Sequence, residues 1–75
     1  MRVEIKPLPP LDKVVREGAY EIPDGLSIRQ ILEALGIPDR EIREMRVLLN
    51  GSIADMECKP EDGCTVVIIP TLAGG

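Results

Sequence analysis

The segment "SIRQILEALG" (residues 27–36) constrains what this chain can fold into more than any other. Ser27 is a suitable N-cap, Gln30 three residues on completes a capping box, and Gly36 is a natural stop just past the helix. Ile28, Ile31, Leu32 and Leu35 fall at i, i+3, i+4 and i+7, so they share one face. An aliphatic stripe of that kind, worth about 1.5–3 kcal/mol per fully buried side chain, needs a sheet to lie on. At 75 residues there is room for one domain and one modest core, so the remaining segments have to supply that sheet.

The flanking segments carry strand signals. Residues 2–6 alternate, with Val3 and Ile5 on one face and Arg2, Glu4 and Lys6 on the other, and Pro7, Pro9 and Pro10 end the run. Residues 8–18 read as a loop with room for a helical turn, residues 19–22 as a short strand, and Pro23-Asp24-Gly25 as a turn. "DREIREM" is expected to form a second short helix capped by Asp39. Asn50-Gly51, between two apolar runs, is a strong hairpin signal and predicts strands over residues 46–49 and 52–55. "CTVVIIP" is a continuous β-branched run of the kind found in a central strand. The order strand, strand, helix, strand, strand, strand implies an α+β domain, with one main helix across one face of a mixed sheet of four to five strands. The first and last strands are expected side by side at its centre.

Composition removes several function classes. With no histidine, His-based triads and the commoner zinc sites are excluded by inventory, and no metal site is expected. The formal net charge is −4 and Tyr20 is the lone aromatic residue, so nucleic acid is a poor partner: phosphate neutralisation and base stacking both lack their groups. No apolar stretch approaches the roughly 20 residues that span a bilayer, and the chain reads as cytoplasmic, with no membrane partner. Cys58 and Cys64 fit neither a CxxC pair nor a zinc knuckle, and read as packed or inert thiols. Asp39, Glu41 and Glu44 read as a solvated helix face.

The remaining functional group is at the end of the chain. "VVIIPTLAGG" runs a strand into a breaking proline, then into Thr71, Leu72, Ala73, Gly74 and Gly75. Small residues let such a tail lie extended in a narrow channel with its backbone close to the walls. The α-carboxylate of Gly75, ionised at pH 7, is a poor electrophile and needs activation, for instance as an acyl-adenylate. The chain has no Walker-type phosphate loop with which to do this itself. It therefore reads as a carrier, a protein co-substrate with catalysis supplied by others.

"LSIRQILEALGI", "VLLNGSIAD", "PEDGCTVVIIP" and above all the terminal "PTLAGG" resemble the ubiquitin-like sulfur carriers of the β-grasp fold, namely the molybdopterin synthase small subunit and the thiamine-biosynthesis sulfur carrier. The similarity spans nearly the whole chain. It implies a β-grasp domain over residues 1–70 and a flexible functional tail over residues 71–75. It also implies that a ubiquitin-activating-type adenylating enzyme, using ATP and Mg, adenylates Gly75 and that sulfur transfer makes a thiocarboxylate, with Thr71, Leu72, Ala73 and Gly74 threading the active site. The carrier itself then binds no cofactor. The sulfur acceptor would be the molybdopterin synthase large subunit or thiazole synthase, and "IIPTLAGG" is more similar to the molybdopterin branch. The same tail chemistry permits a ubiquitin-like protein modifier forming isopeptide bonds, and the fold alone permits a plain interaction module. The sheet face away from the helix is expected to dock a partner, with Val66, Ile68 and Arg46 as the candidate contacts.

Overall fold

In the computed structural model of the chain, which describes residues 1–70, eight short elements build one sheet and its cover. They are β1 (Arg2–Pro7), a 3-10 turn (Leu11–Lys13), β2 (Gly18–Glu21), α1 (Ile28–Ala34), α2 (Asp39–Ile42), β3 (Arg46–Leu49), β4 (Ser52–Ala54) and β5 (Thr65–Ile69). The spatial order is β2-β1-β5-β3-β4. β1 and β5 run parallel and every other neighbour is antiparallel. The expected mixed sheet, with the first and last strands adjacent, is present.

Pro7 continues β1 one residue beyond the expected stop, and the hydrogen-bond parity explains how. Glu4 and Leu8 donate to the carbonyls of Cys64 and Ile68, so alternate residues from Glu4 direct their N–H groups at β5. The missing N–H of Pro7 belongs to the other side, where pairing with β2 has already ended at Ile5↔Gly18.

Helix α1 ends as its sequence dictates. Ser27 Oγ accepts from Gln30 N at 3.2 Å while Gln30 Oε1 accepts from Ser27 N at 2.9 Å, closing the capping box. The two preceding first-turn donors, Ile28 N and Arg29 N, reach Cys58 O and Met56 O at 2.9 Å each. The β4–β5 connection thus satisfies what the cap leaves over. At the other end Gly36 takes φ of 90°, its N–H bonds Glu33 O and the N–H of Ile37 bonds Leu32 O, a Schellman closure. α2 departs from expectation: Pro38 is its N-cap and Asp39 its first helical residue, with no side-chain cap bond. The Asp39 carboxylate is engaged instead by Arg29 at 3.0 Å and Arg43 at 2.9 Å.

The core is one aliphatic cluster. Ile28, Ile31 and Leu32 of α1 and Ile42 of α2 meet Val3, Ile5, Val47, Val66 and Ile68 of the sheet, all essentially inaccessible to solvent. Leu35, the fourth residue of the helix stripe, is only half-buried at the end of the helix. Asn50 at φ 50° and Gly51 at φ 88° make the expected turn with both central residues at positive φ. Asn50 also exchanges two bonds with Thr65 at 2.9 Å each, which sets where β5 begins against β3.

Two consequences follow. Ile68→Ala, at 0% exposure in the middle of the core, lowers the unfolding free energy in urea by about 2–5 kcal/mol. The ammonium of Met1 donates to Ile22 O at 2.6 Å and pairs with Asp24 at 3.0 Å. The bond to Asp24 chiefly holds its pKa above the ordinary 8.0, against a smaller opposing desolvation. A folded-state pKa raised in this way means that the stabilisation is complete below about pH 8.0 and fades as pH rises through the folded value. The Tm gap between the free and Nα-acetylated chains is therefore constant below about pH 8.0 and narrows as pH rises above it, and a gap constant throughout would contradict this assignment.

Candidate functional site

The site is organised by β5. Its two neighbours, β1 and β3, hold it on both edges, so its direction is rigidly set where it ends at Ile69 and hands over to the half-buried Pro70. Gly75, Gly74, Ala73, Leu72 and Thr71, the residues expected to carry the chemistry and thread a partner's channel, lie outside the described residues. A groove of about 360 Å³ borders the root of the tail, lined by Pro10, Leu11, Arg40, Glu41, Glu44, Met45 and Pro70.

Of the expected partner contacts, one is placed as read and two are not. Arg46 is exposed on the open face of the sheet. Val66 and Ile68 are instead 1% and 0% exposed and point beneath α1. The reason is strand parity. Val47 is buried, and the register Val47↔Ile68 and Leu49↔Val66 puts Ile68 and Val66 on the same inner side. The alternate residues Val67 and Ile69 therefore face out. In "TVVII" no charged residue marks either side, so the sequence leaves the parity of β5 undetermined.

The registers assemble an outward row that sequence reading missed: Lys6↔Val67, Val67↔Leu48 and Leu48↔Ile53, across four strands. Ile53 is 77% exposed, unusually bare for its size. One row nearer the tail, Ile69 lies opposite Arg46. The charge of Arg46 and the alternation of "RVLL" could have revealed Leu48, and the charge of Lys6 its own outward side. Pairing these residues with Val67 and Ile53 required the registers.

The other charged and sulfur groups are structural. Arg29 Nε meets Glu57 at 2.8 Å and its Nη1 meets Asp39 at 3.0 Å, tying α1 to α2 and to the β4–β5 connection. The hydrogen bond that Arg29 donates to Glu57, with the two carboxylates' charge, holds the Arg29 guanidinium pKa above its ordinary value against a smaller desolvation. Glu41 and Glu44 are exposed, while Asp39 is engaged in its two ion pairs. Cys64 is buried with Sγ donating to Glu61 O at 2.7 Å, and Cys58 is half-buried against the core. Among the described residues no group of three or more His, Cys, Asp or Glu is placed to hold a metal ion. None of their helices is long and apolar enough to cross a membrane.

One main helix on a five-stranded mixed sheet, its last strand at the centre and ending at the root of the terminal segment, defines a β-grasp, ubiquitin-like protein. The family model described as "ThiS family" matches residues 10–75, and the chain belongs to that family of small sulfur carriers, which are carriers rather than catalysts. No curated protein matches the chain. Among solved structures it is similar to SAMP1 from Haloferax volcanii, with TM-score 0.72 and 21% identity over 100% of both chains. It is also similar to the thiamine biosynthesis protein ThiS from Geobacter metallireducens, with TM-score 0.64 and 20% identity over 100% of both chains. A chain in the complex of subunits 1 and 2 of the molybdopterin-converting factor from Helicobacter pylori 26695 matches with TM-score 0.61 and 19% identity, again over 100% of both chains. At these identities the likeness is one of fold.

The parity assignment has a direct check. Val66→Asp places a carboxylate in the core and costs about 3 kcal/mol or more, whereas Val67→Asp costs about 1 kcal/mol through strand propensity. Urea midpoints of the two variants in the reverse order would overturn it.

Proposed function

We propose that the chain is a sulfur carrier whose Gly75 carboxylate is adenylated by an ATP-dependent, ubiquitin-activating-type enzyme and converted to a thiocarboxylate that donates sulfur in molybdopterin biosynthesis. The observation that carries this reading is a Gly-Gly terminus following directly on the central strand of a sulfur-carrier fold. Chemically, the carboxylate oxygen attacks the α-phosphate of ATP and releases pyrophosphate. A sulfide equivalent then adds to the acyl carbon and expels AMP, leaving C–S⁻ in place of C–O⁻. The carrier contributes position: β5, gripped on both edges, presents the tail at a defined point relative to the open sheet face. Mg belongs to the activating enzyme with its ATP, and the carrier acts as the small partner of a synthase subunit that accepts the sulfur.

A second reading, sulfur delivery for thiazole synthesis in the thiamine pathway, is favoured by the family model that matches residues 10–75. The two differ only in the acceptor. Intact mass of the purified chain after incubation with ATP, magnesium, sulfide and cell extract gains the difference between sulfur and oxygen, and a Gly75-deleted chain gains nothing. With labelled sulfur, recovery of label in a pterin dithiolene supports the first reading and in a thiazole the second. Covalent adducts to other proteins would instead indicate a modifier. An unchanged mass in extract that carries active adenylating enzyme would leave an interaction module.

A further inference from the structure

We propose that the free edge of β2 is a self-association site, at which two copies of the chain join antiparallel, edge to edge, about a two-fold axis at Tyr20. The joint depends on neither the terminal residues nor their chemistry, so it goes beyond the carrier reading and stands or falls apart from it.

The ladder fixes which backbone groups β2 turns outward. Alternate residues from Glu4 direct their N–H groups at β5, so Val3 and Ile5 direct theirs at β2. The register Val3↔Tyr20 and Ile5↔Gly18, continued by the bond from Ile22 N to Met1 O, turns Gly18, Tyr20 and Ile22 toward β1. Ala19 and Glu21 therefore present their N–H and C=O groups outward, without a backbone partner among the described residues, and both residues are exposed. The opposite edge of the sheet offers less. β4 is three residues long, and the Asn50-Gly51 turn pairs Ser52 with Leu49, so that Ile53 alone is turned outward there. A hollow of about 370 Å³, lined by Val14, Arg16, Glu17, Gly18, Ala19 and Tyr20, lies beside the start of β2. Val14 is 74% exposed, and Tyr20 OH donates to Arg16 O, which holds Arg16 next to the strand.

A bare edge can pair with a strand of any protein, and the residues along this one select a second copy of the chain. A two-fold axis at Tyr20 sets Ala19 opposite Glu21 of the second copy, and the reverse, so each of these pairs exchanges two backbone hydrogen bonds. The one charge in the strand is thereby met by a methyl group rather than by its own equivalent. Carried past the strand ends, the same register brings Arg16 alongside Asp24 of the second copy at both ends of the joint, opposite charge to opposite charge. Residues 22–24 of the second copy then run along the hollow whose apolar side is Val14. Pro23, which has no N–H to give, ends the ladder there. The interface is short and each copy carries net −4, so the association is weak and transient. It places both α1 helices on one side of the joined sheet, and the two β5 strands end at its opposite ends.

Sedimentation velocity and amide NMR spectra of the purified chain, from about 10 μM to about 1 mM, test this over the Kd range of weak complexes. The dimer fraction rises across that range, and the Ala19 and Glu21 amides shift with concentration and gain protection from hydrogen exchange at the top of it. Ala19→Glu, which sets two carboxylates opposite each other in both pairs, weakens association about tenfold. Ala19→Lys, which sets an ammonium opposite Glu21, strengthens it about threefold. Ala34→Lys makes the same change of net charge at the exposed end of α1 and leaves association near wild type, and urea midpoints show that the variants fold. A chain that stays monomeric to about 1 mM, with the Ala19 and Glu21 amides unprotected, would overturn the proposal. So would the two substitutions at Ala19 shifting association in the same direction. A dimer that ignores the charge at residue 19 and is dissolved by Ile53→Asp would also overturn it, and would move the contact to the open sheet face.

Discussion

Pairing of the first strand with the last is the contact on which the rest of the structure depends. β1 and β5 lie side by side and parallel, with nearly all of the chain strung between them. Closing so long a loop costs conformational entropy, though the cost grows only slowly with length, by about 0.6 kcal/mol per doubling. What offsets it is burial on the inner side. Ile5 and Val66, then Pro7 and Ile68, face each other across the pair under Ile28, Ile31 and Leu32. The start of the ladder is secured by polar bonds that bring distant segments to the same place: Arg2 N donates to Asp62 Oδ1 and Gly63 N to Arg2 O, both at 2.7 Å.

The functional geometry follows from that pairing. Once β1 occupies one edge of β5 and the β3–β4 hairpin the other, the last strand is the middle of five and its end emerges from the sheet rather than from a fraying border. Under the proposed carrier function, a rigid root for the terminal segment leaves less positional freedom to be lost when a partner takes it up. Among the described residues the second side of the sheet is left uncovered, since their one main helix lies on the inner side. An open apolar face and a last strand held at the middle of the sheet are two results of the same pairing.

Much of this was legible in the sequence, and unevenly so. The capping box, the Gly36 stop and the Asn50-Gly51 turn are local chemistry, settled by neighbours within a few residues, and the structure has them where the residues say. β1 could be read with its sidedness, because Arg2, Glu4 and Lys6 label the outer side. β5 could be read only as a strand. Its five residues include no charge, and the choice between Val66 with Ile68 and Val67 with Ile69 as the outward pair turned on its register with β3. The natural guess was off by one residue, which in a strand inverts both faces. Asp39 shows the same limit in a helix: a residue suited to capping was drawn to Arg29 and Arg43, and only one of those lies within its own turn.

The amino-acid sequence by itself determined the element types, the class of domain and the Gly74-Gly75 pair that follows the last strand, because each depends on residue identity or on near neighbours along the chain. Tertiary structure decided which aliphatic side chains are core and which are surface, how Lys6, Val67, Leu48 and Ile53 come to lie in one row, and where Arg46 stands relative to the tail. Those are matters of register between strands far apart in sequence. Register is selected by the summed burial of whole faces, a quantity that no single segment carries.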